Sequence, residues 1–78
     1  MVVAALVVTL TSGPVERELA LAQLADDPRL TLGAPVRDHL PVVATTDDAA
    51  AGVALVEGLS ALSAVARVDV LSIEFEVA

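Results

Sequence analysis

The residues that could carry chemistry in this chain are few, and their spacing argues against a catalytic or metal site. His39 is the only histidine, and it falls in a predicted hairpin turn, where a general base would need partners from distant segments. It reads as a surface histidine. Asp47 and Asp48 are adjacent carboxylates at the start of a helical pattern, where such groups accept bonds from orphan backbone N–H groups rather than hold a cation. Asp26 and Asp27 precede Pro28 and read as a helix stop in a solvated turn. Ser12-Gly13-Pro14 sets a glycine near a helix start, but no Gly-rich loop or lysine accompanies it, so phosphate binding is not expected. No cysteine occurs, which removes disulfides, thiolate chemistry and cysteine metal sites. The four arginines, Arg17, Arg29, Arg37 and Arg67, lie apart and without interleaved aromatics, so they build no stacking platform for RNA or single strands. No nucleophile meets a base. The expectation is a protein without enzyme activity, metal or cofactor.

Composition points to binding instead. Eleven acidic residues against four arginines and no lysine give a formal charge of −7 at pH 7. Such a field repels phosphate backbones and anionic lipid and steers cationic partners inward, so a basic peptide fits and nucleic acid does not. The alternative is that the acidity only keeps a greasy small domain in solution. The hydrophobic fraction is 56% and Phe75 is the only aromatic residue, so Leu, Val and Ala carry a mean hydropathy of +0.80. An apolar surface patch is expected, and large patches mark interaction sites. The 78 residues make one domain, 1–78, which buries only ~60% of the surface its unfolded chain exposes. No Lys/Arg-rich leader opens the sequence, and no apolar run reaches the ~18 residues that span a bilayer. A cytoplasmic location without stable membrane insertion is the corresponding expectation.

The elements follow from periodicity and punctuation. Val2 to Leu10 is apolar on both parities, with Val2, Ala4, Leu6, Val8 and Leu10 opposite Val3, Ala5 and Val7, as a central strand would be. Thr11 to Pro14 turns into a helix from about Pro14 to Ala25, with Ser12 or Thr11 near its N-cap and Pro14 in its first turn. This helix carries two apolar stripes, Val15, Leu19 and Ala22 against Ala20, Leu21 and Leu24. Pro28 ends it. Leu30 to Ala34 is a short edge strand interrupted by Pro35, Val36 to His39 a hairpin connection, and Leu40 to Thr45 the third strand. Asp47 or Asp48 caps a second helix that runs through Leu62, in which Gly52 and Gly58 point to close packing on the sheet. Arg67 to Val77 is the last strand, with Asp69, Leu71, Ile73, Phe75 and Val77 on one row and Val68, Val70, Ser72, Glu74 and Glu76 on the other.

The order β-α-β-β-α-β predicts an α+β, ferredoxin-like domain. Two split β-α-β units place both helices on one face of a four-stranded antiparallel sheet and leave the other face open.

Several stretches resemble the NapD family of small chaperones. They are Ala4-Ala5-Leu6-Val7-Val8, the helix exit from Leu24 to Leu32 with Pro28, and Leu40-Pro41-Val42-Val43 ahead of Asp47-Asp48. Val56-Glu57-Gly58-Leu59, leading to Ala64-Val65-Ala66-Arg67-Val68, completes the set. The resemblance spans most of the chain, with an insertion near Gly13-Pro14 and a shorter hairpin near Val36 to Asp38. It implies a cytoplasmic ferredoxin-like chaperone that binds no cofactor. Its partner would be the twin-arginine signal peptide of the periplasmic nitrate reductase catalytic subunit, a molybdoenzyme, whose export it delays until cofactor insertion. Such chaperones commonly end the last strand with a tyrosine-histidine pair, which Val70 to Ile73 lacks. Their loop between the second and third strands is more polar than Pro35 to His39.

The expected binding surface is the open sheet face. Val3, Val7, Val43 and Thr45, with Val68 and Val70, would line it, and Glu74 and Glu76 would meet the arginines of the peptide. The chaperone would be a monomer or a weak dimer. The rival expectation is a small-molecule-sensing or assembly module of ACT-like type, in which two copies bury the same sheet face against each other.

Overall fold

The computed structural model describes residues 1–11 and 13–75. Six elements follow in the expected order: β1 (Val2–Leu10), α1 (Pro14–Ala25), β2 (Leu30–Leu32), β3 (His39–Thr46), α2 (Ala49–Ser60) and β4 (Val65–Phe75). They form a four-stranded antiparallel sheet in the order β2-β3-β1-β4. This is the ferredoxin-like α+β arrangement. β1 and β3 are central, and β2 and β4 are the edges.

Alternation along the central strands explains where the core sits. Leu6, Val8 and Leu10 of β1 and Leu40, Val42 and Ala44 of β3 are buried, and they meet Ala20 and Leu24 of α1 and Leu55 and Leu59 of α2. The core contains no aromatic side chain. Val3, Ala5 and Val7 point to the other face and stay half-buried. Of the two stripes on α1, the one with Ala20, Leu21 and Leu24 packs on the sheet, and Val15 and Leu19 face outward.

Local chemistry sets the boundaries. α1 starts after Gly13, which is its N-cap and has no side chain to accept a bond, while Pro14 takes the first helical position. Thr11, expected near that cap, instead donates its hydroxyl to the carbonyl of Ala64 at 3.3 Å, and Ser12 lies outside the described residues. Asp48 caps α2 by accepting from the Ala51 amide at 2.8 Å. Pro41 explains why β2 is only three residues long. Its carbonyl accepts from the Gly33 amide, so its missing N–H faces the same side, and the ladder ends there. His39 belongs to β3, not to the turn before it, and pairs with Thr9. The turn is tighter than expected: Val36 and His39 exchange both backbone bonds around Arg37 and Asp38, with Arg37 at φ 55°.

β4 outruns its cover. An eleven-residue strand spans about 36 Å, whereas the twelve residues of α2 span about 18 Å. Val70, Ile73 and Phe75 are consequently exposed.

Candidate functional site

Two surfaces of unequal character lie on opposite sides of the sheet. On the side away from the helices, opposed residues of neighbouring strands share a face, which defines rows across the sheet. Thr45, Val3 and Glu74 form one row, Val43, Ala5 and Ser72 the next, and Pro41, Val7 and Asp69 a third. His39, Thr9 and Arg67 close the face, with the Thr9 hydroxyl 3.4 Å from His39 Nδ1. The centre of this face is aliphatic, built by β1 and β3. Its β4 margin is polar throughout.

That margin carries the charge. Arg67 donates from Nε to Asp69 at 3.0 Å and so occupies one acidic group. Among the described residues Glu74 has no ion pair, and it stands beside Val3 at the other end of the strand. A segment with an apolar body and a cationic end matches this layout.

The placement of β4 corrects part of the expected site. Val3, Val7, Val43, Thr45 and Glu74 do share the open face, but Val68 and Val70 pair with Val8 and Leu6 and therefore lie on the helix side. The cause is a β-bulge. Ala5 pairs with Ser72 and Leu6 with Val70, which leaves Leu71 as an extra residue and reverses the parity of the strand on either side of it. Strict alternation had put Val68, Val70, Ser72 and Glu74 on one row. Glu76 lies outside the described residues.

The same bulge creates a second surface that alternation does not reveal. Ile73 and Phe75 join Val70 on the helix side, where they, Val2 and Ala4 face Val53 and Val56 of α2 across an apolar groove of about 230 Å³. Among the described residues Glu57 is the only charged one lining it. Phe75, the only aromatic residue of the chain, is 66% exposed there, and Val53 is 59% exposed. The apolar row Leu71, Ile73 and Phe75 was the available signal. Its meaning depends on how far α2 reaches along β4, which no local pattern encodes.

Elsewhere the side chains are structural. Asp27 accepts three bonds from Arg29, two from the guanidinium and one from the backbone amide. The side-chain bonds come first in holding the Asp27 carboxyl below its ordinary value and raising Arg29 above its own. The Arg29 carbonyl in turn accepts from the Thr45 amide at 2.8 Å, so this clamp fixes the entry of β2 against β3. Among the described residues no group of three His, Asp or Glu side chains comes together to hold a metal, and no helix is long and apolar enough to cross a membrane.

Fold and surfaces together define a small ferredoxin-like domain with an uncovered, acid-edged sheet. Comparison with family models, curated proteins and solved structures finds no match to this chain.

Proposed function

We propose that this domain is a peptide-binding chaperone of NapD type. It binds the twin-arginine signal peptide of a periplasmic nitrate reductase catalytic subunit in the cytoplasm and delays export until the molybdenum cofactor has been inserted. The observation that carries this reading is the open sheet face, with Val3, Val7 and Val43 at its centre and, at its β4 margin, Glu74, which has no ion pair among the described residues. A signal peptide of this class is cationic at one end and apolar along the rest, and a formal charge of −7 draws its arginines toward the domain. Val7 and Val43 would contact the apolar segment, and Glu74 would pair with an arginine. The domain supplies binding and no reacting group.

Calorimetric titration with such a peptide tests the reading. The expected result is binding that weakens with salt, disappears when both arginines become alanine, and falls more than about tenfold with Val7→Asp or Glu74→Lys. Affinities within about twofold of the parent for both variants, with circular dichroism unchanged, would remove the peptide from this face. Absence of binding by a dimer that Val7→Asp dissociates would instead favour the assembly module with buried sheet faces.

A further inference from the structure

We propose that β4 is a self-pairing edge, through which two copies of this domain join their sheets about a twofold axis at the Leu71 bulge. β4 is an edge of the sheet, it is eleven residues long, and among the described residues no strand lies along its outer backbone row. Val70, Leu71, Ile73 and Phe75 all leave large apolar side chains exposed along it. An unpaired apolar edge of this length is a template for another strand.

The arrangement of faces and charges selects a second copy as that strand. Because of the bulge, Arg67, Asp69, Ser72 and Glu74 all lie on the open face, while Val68, Val70 and Ile73 lie on the helix side. Antiparallel pairing centred between Val70 and Leu71 then opposes Arg67 to Glu74 of the partner subunit, Asp69 to Ser72 of the partner subunit and Val68 to Ile73 of the partner subunit. These three pairs match open face with open face or helix side with helix side, and Val70 meets Leu71 of the partner subunit at the axis. The axis makes the Arg67 and Glu74 contact occur twice. Moving the register by two residues sets Asp69 against Glu74 of the partner subunit, two like charges in place of two opposite ones. The charges of β4 thus favour one register of self-pairing and oppose the next.

Edge pairing leaves both open sheet faces uncovered and adjacent, so each dimer presents two of them side by side. Glu74 serves both readings, meeting Arg67 of the partner subunit here and an arginine of the peptide there, so the two compete for it; the dimer is measured without peptide, and its failure leaves the peptide reading standing. Interfaces of this kind are small, and with −7 on each chain the association is a concentration-dependent equilibrium rather than a permanent assembly.

Sedimentation equilibrium over a concentration series, with circular dichroism as a control for folding, tests the proposal through Arg67→Glu and Glu74→Arg. The parent is expected to dimerise, and each variant alone to raise the dissociation constant about tenfold or more, since like charges then meet at both contacts. An equimolar mixture of the two variants restores dimers. In the mixed dimer one chain carries only acidic groups at the two positions and the other only basic ones, so opposite charges meet again at both contacts. The proposal is overturned by a parent that stays monomeric throughout the series, by single variants that dimerise like the parent, or by folded variants whose mixture does not recover.

Discussion

Gly52 and Gly58 stand in the same helix and have opposite surroundings. A Cβ at Gly52 would lie 3.3 Å from Thr46 Oγ1, whereas one at Gly58 would meet nothing within 4 Å. Close approach to the sheet therefore accounts for Gly52 alone. Gly58→Ala is expected to raise stability by about 0.5–1 kcal/mol, the usual helix preference for alanine, in a urea or thermal melt. A loss would mean that the open space beside Gly58 is used. An acidic cap at Asp47 or Asp48 was readable from sequence because only an acceptor placed before Ala49 can satisfy the first amides of α2, and the structure selects Asp48. Asp48→Ala should cost about 1 kcal/mol in the same melt. The cap of α1 was not readable in the same way: Thr11 has the right chemistry, but its hydroxyl finds the Ala64 carbonyl across the fold. Asp27 gives the pH dependence at this scale. Its folded pKa is lowered chiefly by the Arg29 hydrogen bond, so its contribution is complete above the ordinary carboxylate value of 3.8 and is lost as pH falls through the lower folded value. The pair lies at the surface, where solvent screening keeps the effect small. Asp27→Asn should therefore lose less stability than the parent as the pH falls below the ordinary carboxylate value of 3.8.

The elements themselves were legible because Pro28, Pro35 and the acidic cap of α2 divide the chain between strongly apolar runs. Alternation placed the side chains of β1 and of Leu40 to Thr45 on their observed faces. On β4 it failed on the Val68 to Val70 side of Leu71. A bulge with glycine at its centre would have been visible, but Leu71 is an ordinary strand residue, and only the pairing with β1 shows that it is extra. The choice between the two stripes of α1 was hidden for a related reason, since both are apolar and only the docked geometry buries Ala20 and Leu24. The bulge makes an element-scale expectation possible. Deleting Leu71 brings Val70 and Ser72 next to each other opposite Leu6 and Ala5, which are already adjacent, so every pair and every face of β4 is preserved. The deletion variant should fold with the Leu6 to Val70 and Ala5 to Ser72 contacts intact in nuclear Overhauser spectra. Loss of the fold, or Ile73 and Phe75 appearing on the open face, would show that the bulge sets the register of the strand.

For the molecule as a whole, net charge opposes the compact state and local pairs do little to offset it. Eleven acidic residues face four arginines, and the ion pairs among the described residues are Arg17 with Asp38, Arg29 with Asp27 and Arg67 with Asp69. All three are at the surface, where such pairs contribute about 0–1 kcal/mol and are weakened by salt. Two of them join residues only two apart, so they persist in part when the chain unfolds and add little to the difference between the states. The repulsion among the remaining carboxylates acts over the whole fold and is also screened, because the Debye length shrinks to about 8 Å at physiological ionic strength. The second effect is the larger one here. The midpoint of thermal unfolding should rise by several degrees from very low salt to about 0.15 M sodium chloride, since about 1 kcal/mol moves the midpoint of so small a domain by roughly 4–8 °C. Neutralising the surface should act in the same direction: Glu57→Gln, exposed near the C-terminal end of α2 and outside the three ion pairs, should raise the low-salt midpoint and reduce its salt dependence. A midpoint that falls as salt is added would place the three ion pairs above the net charge in controlling stability, and Arg17→Ala would then lower it most, because Arg17 with Asp38 is the pair that joins distant segments.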